Sequence, residues 1–157
     1  MSYQQFVDLF SALLTPVIAI SMLYIAYQQW QTNRIKLRKE LYDQRLLIYT
    51  STIELIYTIQ SLGHANHEQH LKFSRETSNS VFLFGKEVNQ HLKERNDKTP
   101  RLRHTSESIQ RLSKNPDKNS KKLGELADLE SEIFNWFVKQ PNIVETKFKK
   151  YLDLSTK

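Results

Sequence analysis

The chain has 157 residues, of which 3 are Gly, 4 are Pro and none is Cys, and it carries a formal net charge of +6. Without cysteine it builds neither a disulfide framework nor a thiolate metal site or Cys nucleophile; with so little Gly and Pro and no β-branched clusters, composition points away from sheet and toward an all-α fold. The basic excess gathers directly after an apolar N-terminal run and again between residues 99 and 122, two surfaces suited to anionic lipid headgroups.

No residue from Leu9 to Asn33 is charged. The run LFSALLTPVIAISMLYIAYQQW is long enough to cross a bilayer core of ~30 Å as a helix rising ~1.5 Å per residue. Residues 1–33 are therefore expected to form a single-pass transmembrane anchor. A cleaved signal peptide needs a basic start and a small-x-small cleavage site, whereas this stretch ends in Tyr24, Tyr27 and Trp30, which suit an interfacial aromatic belt. Pro16 removes one backbone donor within the span, which lipid-embedded helices tolerate. Upstream there is no Lys or Arg and one acid, Asp8; downstream Arg34, Lys36, Arg38 and Lys39 follow at once. That asymmetry predicts an outside N-terminus, a cytoplasmic domain over residues 34–157, and these four cations against lipid headgroups.

With no Pro or Gly before Gly63, the span is expected to continue into a second helix over 34–62. Its apolar residues Leu41, Tyr42, Leu46, Ile48, Tyr49, Ile53, Leu55, Ile56, Tyr57 and Ile59 cover more than half of the wheel, the pattern of a central bundle helix. Glu40, Asp43, Ser51, Glu54 and Thr58 fall on the polar remainder. Gly63 is read as a helix C-cap opening the turn GHANHEQH. A third helix is predicted from about Gln69 to Arg95 on Phe73, Val81, Phe84, Val88 and Leu92. Asn96 to Pro100 is read as its end, with Thr99 as N-cap and Pro100 as first residue of a shorter helix to about Ser113. The segment NPDKNSKK reads as a loop. A strongly apolar helix follows from about Lys122 to Gln140 with Leu126, Leu129, Ile133, Phe134, Trp136 and Phe137, and Pro141 starts a short last helix with Val144, Phe148 and Tyr151. The predicted architecture is thus a transmembrane helix continuing into a bundle of about four helices plus a short C-terminal one.

Few residues suggest chemistry. His64, His67, His70 and Glu68 have metal-ligand side chains, but they fall at a turn without an HExxH pattern and read as a solvated polar segment. Arg45 lies inside the apolar arc between Leu41 and Ile56 and needs a counter-charge; if the second and third helices form an antiparallel hairpin, Glu87 stands at its height, and a structural ion pair Arg45–Glu87 is expected. The basic residues Arg101, Arg103, His104, Arg111, Lys114, Lys118, Lys121 and Lys122 lack interleaved aromatics and match no nucleic-acid module, so no nucleic acid is expected. No GxSxG, P-loop, GxGxxG or paired-carboxylate arrangement occurs, so no catalytic residue, metal or cofactor is assigned.

The succession of an apolar N-terminal run, LRKELYDQRLLIY (Leu37 to Tyr49), FLFGKEV (Phe82 to Val88) and FKKYLDL (Phe148 to Leu154) resembles a broad set of uncharacterised bacterial single-pass membrane proteins. The resemblance implies a helical domain at the bacterial inner membrane and brings no activity, cofactor or catalytic residue. The function expected is a non-enzymatic, membrane-anchored interaction or adaptor module, bound to a protein partner or a second copy, with Trp136 and Phe137 as the candidate partner surface. The alternative is a membrane-perturbing effector, a toxin or phage-defence component, whose span acts through close packing of Ser11, Ala12, Thr15, Ala19 and Ser21.

Overall fold

The structure, a computed structural model, describes residues 3–114 and 116–153, with side chains at Gln4, Leu14, residues 16–114 and 119–153. The chain divides into two compact units, residues 1–41 and 42–157, and side chains of the first helix become steadily covered from Leu41 onward. Six helical segments occur among the described residues, α1 (Tyr3–Leu62), α2 (His67–Thr77), α3 (Ser80–Leu83), α4 (Lys86–Leu112), α5 (Pro116–Val138) and α6 (Gln140–Leu152), and no strand. The chain is all-helical, as its composition requires.

The first unit holds the N-terminal part of α1. Among the described residues no helix is long and apolar enough to cross a membrane. The described apolar stretch from Pro16 to Tyr27 reaches ~18 Å as a helix, against a core of ~30 Å, and Gln28, Gln29, Gln31 and Thr32 follow it. The side chains of the rest of the run from Leu9, Leu14 apart, on which the expected span also rests, lie outside the described residues.

In the second unit α1 contributes Ile48, Thr52, Leu55, Ile56 and Ile59 to the core, spacings of three and four that keep them on one face. The apolar face is narrower than expected. Tyr57 is exposed, while Ser51 and Thr52 are buried; the Thr52 hydroxyl donates to the Ile48 carbonyl at 2.6 Å, which removes the cost of burying it. Gly63 ends the helix as anticipated, at φ +81° with its N–H on the Ile59 carbonyl at 2.8 Å, a conformation that favours glycine. Asn66 then starts α2 through a capping box, with Asn66 and Gln69 each accepting the other's backbone N–H at 2.8 Å.

The single helix expected over 69–95 is three segments. After Thr77 the side chains of Thr77 and Ser78 bond back to the Phe73 and Arg75 carbonyls, competing with continuation of the ladder. At Phe84 the backbone turns extended, φ −132° and ψ 157°. This directs the Phe84 ring onto Phe148 and Tyr151, centroids 4.9 and 5.1 Å apart. Gly85 is needed here for proximity: its N–H donates to the Tyr151 hydroxyl at 2.9 Å, and a Cβ would sit 2.7 Å from that oxygen. Val81, expected in the core, is exposed, and Phe82 is 87 % exposed.

The turn expected at Asn96–Pro100 is instead the interior of α4. Pro100 offers no N–H to the carbonyl four residues back, that of Asn96. His70 of α2 fills the gap, its Nε2 lying 3.1 Å from the Asn96 carbonyl and 3.0 Å from the Asn96 side-chain oxygen. Both are acceptors, so the ring carries its proton on Nε2. Thr99, expected as an N-cap, is buried and donates to the Arg95 carbonyl at 2.9 Å. His70→Ala is expected to lower stability by about 1–2 kcal/mol by orphaning that carbonyl, and the double variant with Pro100→Ala, which restores the helical donor, should regain most of it. Urea unfolding of the four chains of this cycle measures the coupling.

The loop expected at NPDKNSKK is largely helical, for α5 begins at Pro116, the position where a missing N–H is harmless. α5 runs antiparallel to α4: Ser106 bonds Glu130 near one end, and Lys98 lies over the Trp136 ring toward the other. α6 starts at the expected place, with Pro141 in its first turn, and buries Val144 and Phe148 completely. α4, in contact with α2, α3, α5 and α6, occupies the centre that the second half of α1 was expected to hold.

Candidate functional site

The buried face of α4 runs Val88, Leu92, Arg95, Thr99, Leu102, and its midpoint is a guanidinium. Arg95 is 0 % exposed. Its Nη2 lies 3.1 Å from His91 Nε2, while Nε and Nη1 have no hydrogen-bond partner. None of the ion pairs among the described residues includes it. Burial pulls the guanidinium down to about 9, with the Glu94 charge opposing it. The same burial, reinforced by the Arg95 charge, pushes His91 down to about 4. His91 is thus a neutral imidazole at physiological pH, accepting from Arg95 through Nε2.

Trp136 of α5 covers this stripe. Its ring centroid is 5.9 Å from the His91 ring, 5.8 Å from Arg95 Cζ and 5.3 Å from Lys98 Nζ. It is held from behind by Phe137, edge-on at 4.9 Å, and its carbonyl accepts from Gln140 Nε2 at 2.8 Å. Lys98 also belongs to none of the ion pairs. Two cations therefore share one indole without either belonging to an ion pair among the described residues, in a helical interface that excludes water from one of them.

The residues singled out from sequence are placed as follows. Arg45 and Glu87 do not pair. Arg45 donates from Nη1 to the Tyr151 carbonyl at 3.3 Å with its Cζ 5.8 Å from the Tyr151 ring. Glu87 is at the surface, 2.9 Å from Lys147 and 3.7 Å from Lys150, and the hydrogen bond from Lys147 holds its carboxyl below the usual range. The break at residues 78–85 shifts α4 out of the register that equal height assumed. Of the expected partner surface, Phe137 is fully buried and so presents no surface, while Trp136 is half-buried and packs against the core. Arg34, Lys36, Arg38 and Lys39 are exposed, Arg34 lying 4.7 Å over the Trp30 ring. His64, His67 and Glu68 are exposed and His70 is committed to Asn96; among the described residues no group of three or more His, Asp or Glu is placed to hold a metal ion. In the basic stretch, Arg103 pairs with Glu107 at 3.7 Å and Arg111 bonds the Glu107 carbonyl and Ser108.

The three motif segments converge. Tyr49 meets Phe148 at 5.6 Å, Phe84 meets Phe148 and Tyr151, Gly85 donates to Tyr151, and Arg45 donates to its carbonyl. These segments thus meet in an aromatic junction closing one end of the bundle, a packing role. The class defined by fold and site is an all-helical bundle with a basic and aromatic interhelical cluster. No protein family, curated protein or solved structure matches the chain.

Proposed function

We propose that the chain is a non-enzymatic interaction module of the bacterial inner membrane, in which residues 1–33 are a single-pass anchor with the N-terminus outside and the bundle engages a protein partner or second copy from the cytoplasm. The observation that carries this reading is the surface of the first unit. Val17, Ile18, Ile20, Met22, Leu23 and Ile25 are all exposed, Leu23 to 71 %. At ~100° per residue these positions surround the helix rather than forming a stripe, so a single protein groove cannot cover them whereas lipid can. Tyr24, Tyr27 and Trp30 followed by Arg34, Lys36, Arg38 and Lys39 form the boundary from apolar to charged surface that an anchor needs.

One experiment tests location and role together. With residues 9–27 exchanged for a leucine and alanine helix of equal length, the chain is expected to remain inserted and to retain its cellular phenotype. A single cysteine at the exposed Ser120, placed in this Cys-free chain, should resist an impermeant thiol reagent in intact cells. Labelling at that position reverses the topology. Loss of the phenotype with insertion at normal level would instead make the span itself the active part, as in a membrane-perturbing effector.

A further inference from the structure

His91, Arg95 and Lys98 succeed one another on α4 at intervals of four and three, so they line one edge of the helix, and all three face the Trp136 ring. The depth is graded. Arg95 is completely enclosed, His91 is buried, and Lys98 and Trp136 are half-buried at the outer side. A guanidinium removed from water with unmet donors is costly, and one that no carboxylate pairs with costs more. Two unmatched donor atoms on Arg95, with a second cation one turn away, call for a ligand that is anionic and offers more than one acceptor oxygen. A neutral carbonyl answers neither the charge nor the number of donors.

We propose that His91, Arg95, Lys98 and Trp136 form a binding site for a soluble oxyanion, a carboxylate or phosphate group, that enters between α4 and α5. Arg95 is the floor and supplies the principal hydrogen bonds. His91, neutral and accepting from Nη2, fixes the plane of the guanidinium, a positioning role. Lys98 adds a second positive charge at the mouth. Because Nε and Nη1 each expose less than 1 Å², the ligand reaches them only as the indole turns aside. Trp136 is thereby both gate and reporter.

The chain has two tryptophans, so Trp30→Phe leaves Trp136 as the only indole in the full-length protein. In uncharged detergent at fixed ionic strength, inorganic phosphate or acetate is expected to change its emission with saturation, and chloride is not. Lys98→Met should weaken the apparent affinity by about tenfold, and Arg95→Met by at least about a hundredfold, the ratios expected for one and for two or more charge-assisted hydrogen bonds. Circular dichroism checks that Arg95→Met folds. If it does not, Arg95→Lys, which keeps the charge and loses the multiple donors, serves in its place with a loss of at least about tenfold. An independent readout is His91 itself: a bound anion should raise its titration midpoint, followed by its ring proton resonances in NMR. The proposal is overturned if neither oxyanion alters Trp136 emission, if chloride is as effective, or if the response survives unchanged in the Arg95 variants.

Discussion

Phe137→Ala is expected to destabilise the bundle by about 3–5 kcal/mol, enough to consume much of the stability of a domain this size. The ring is fully buried, lies edge-on to Trp136 at 4.9 Å, and its backbone carbonyl accepts from Gln60 of α1 at 3.3 Å. Removing it opens a cavity where α5 approaches both neighbours. A partner-surface role predicts the reverse, normal unfolding with impaired association. Urea unfolding of the full-length protein separates them: an unchanged midpoint would return Phe137 to the surface.

Arg95→Met is expected to act in the opposite direction, raising stability by about 1–3 kcal/mol after loss of the bond to His91, because an unpaired buried charge gives way to an apolar chain of similar length. The pH dependence is a second signature. His91 titrates near 6.5 when unfolded and near 4 in the folded chain, so between these values the unfolded state binds more protons and stability falls as pH is lowered through the window. The loss is roughly 2 kcal/mol, discounted for partial solvent screening. In Arg95→Met the charge that reinforces this depression is gone while burial remains. The lower edge of the window should therefore move up toward 6.5 and the loss should shrink. An Arg95→Met chain that unfolds more easily than the parent at neutral pH would show that the guanidinium is well satisfied.

What could be read from sequence was local and periodic. Gly63 as C-cap, Pro141 at the start of the last helix, and Ile48, Phe73, Val88, Leu92, Ile133 and Phe148 as core residues follow from cap chemistry and helical spacing. The centre of α4 was hidden by its own composition. Asn96-Asp97-Lys98-Thr99-Pro100 has the residues of a turn, and the group that makes it helical is His70, brought from another helix by the fold. A signal for Arg95 was nevertheless present: continuing the three-four spacing from Val88 and Leu92 through Thr99 to Leu102 places residue 95 on the core line. Treating Pro100 as a boundary cut that line in two. The Arg45–Glu87 pairing failed for a related reason, since matching heights presumed one unbroken hairpin, and Tyr151 from the end of the chain took the place beside Arg45. Trp136 and Phe137 are neighbours in sequence but point about 100° apart on the helix, which puts one ring over the α4 stripe and the other into the core.

Asn96, whose carbonyl His70 holds, directly follows Arg95 and lies within the stretch that carries Lys98. Without His70 at that carbonyl, α4 would carry an unmatched acceptor opposite Pro100, where a proline-containing helix bends, just beside the cations that face Trp136.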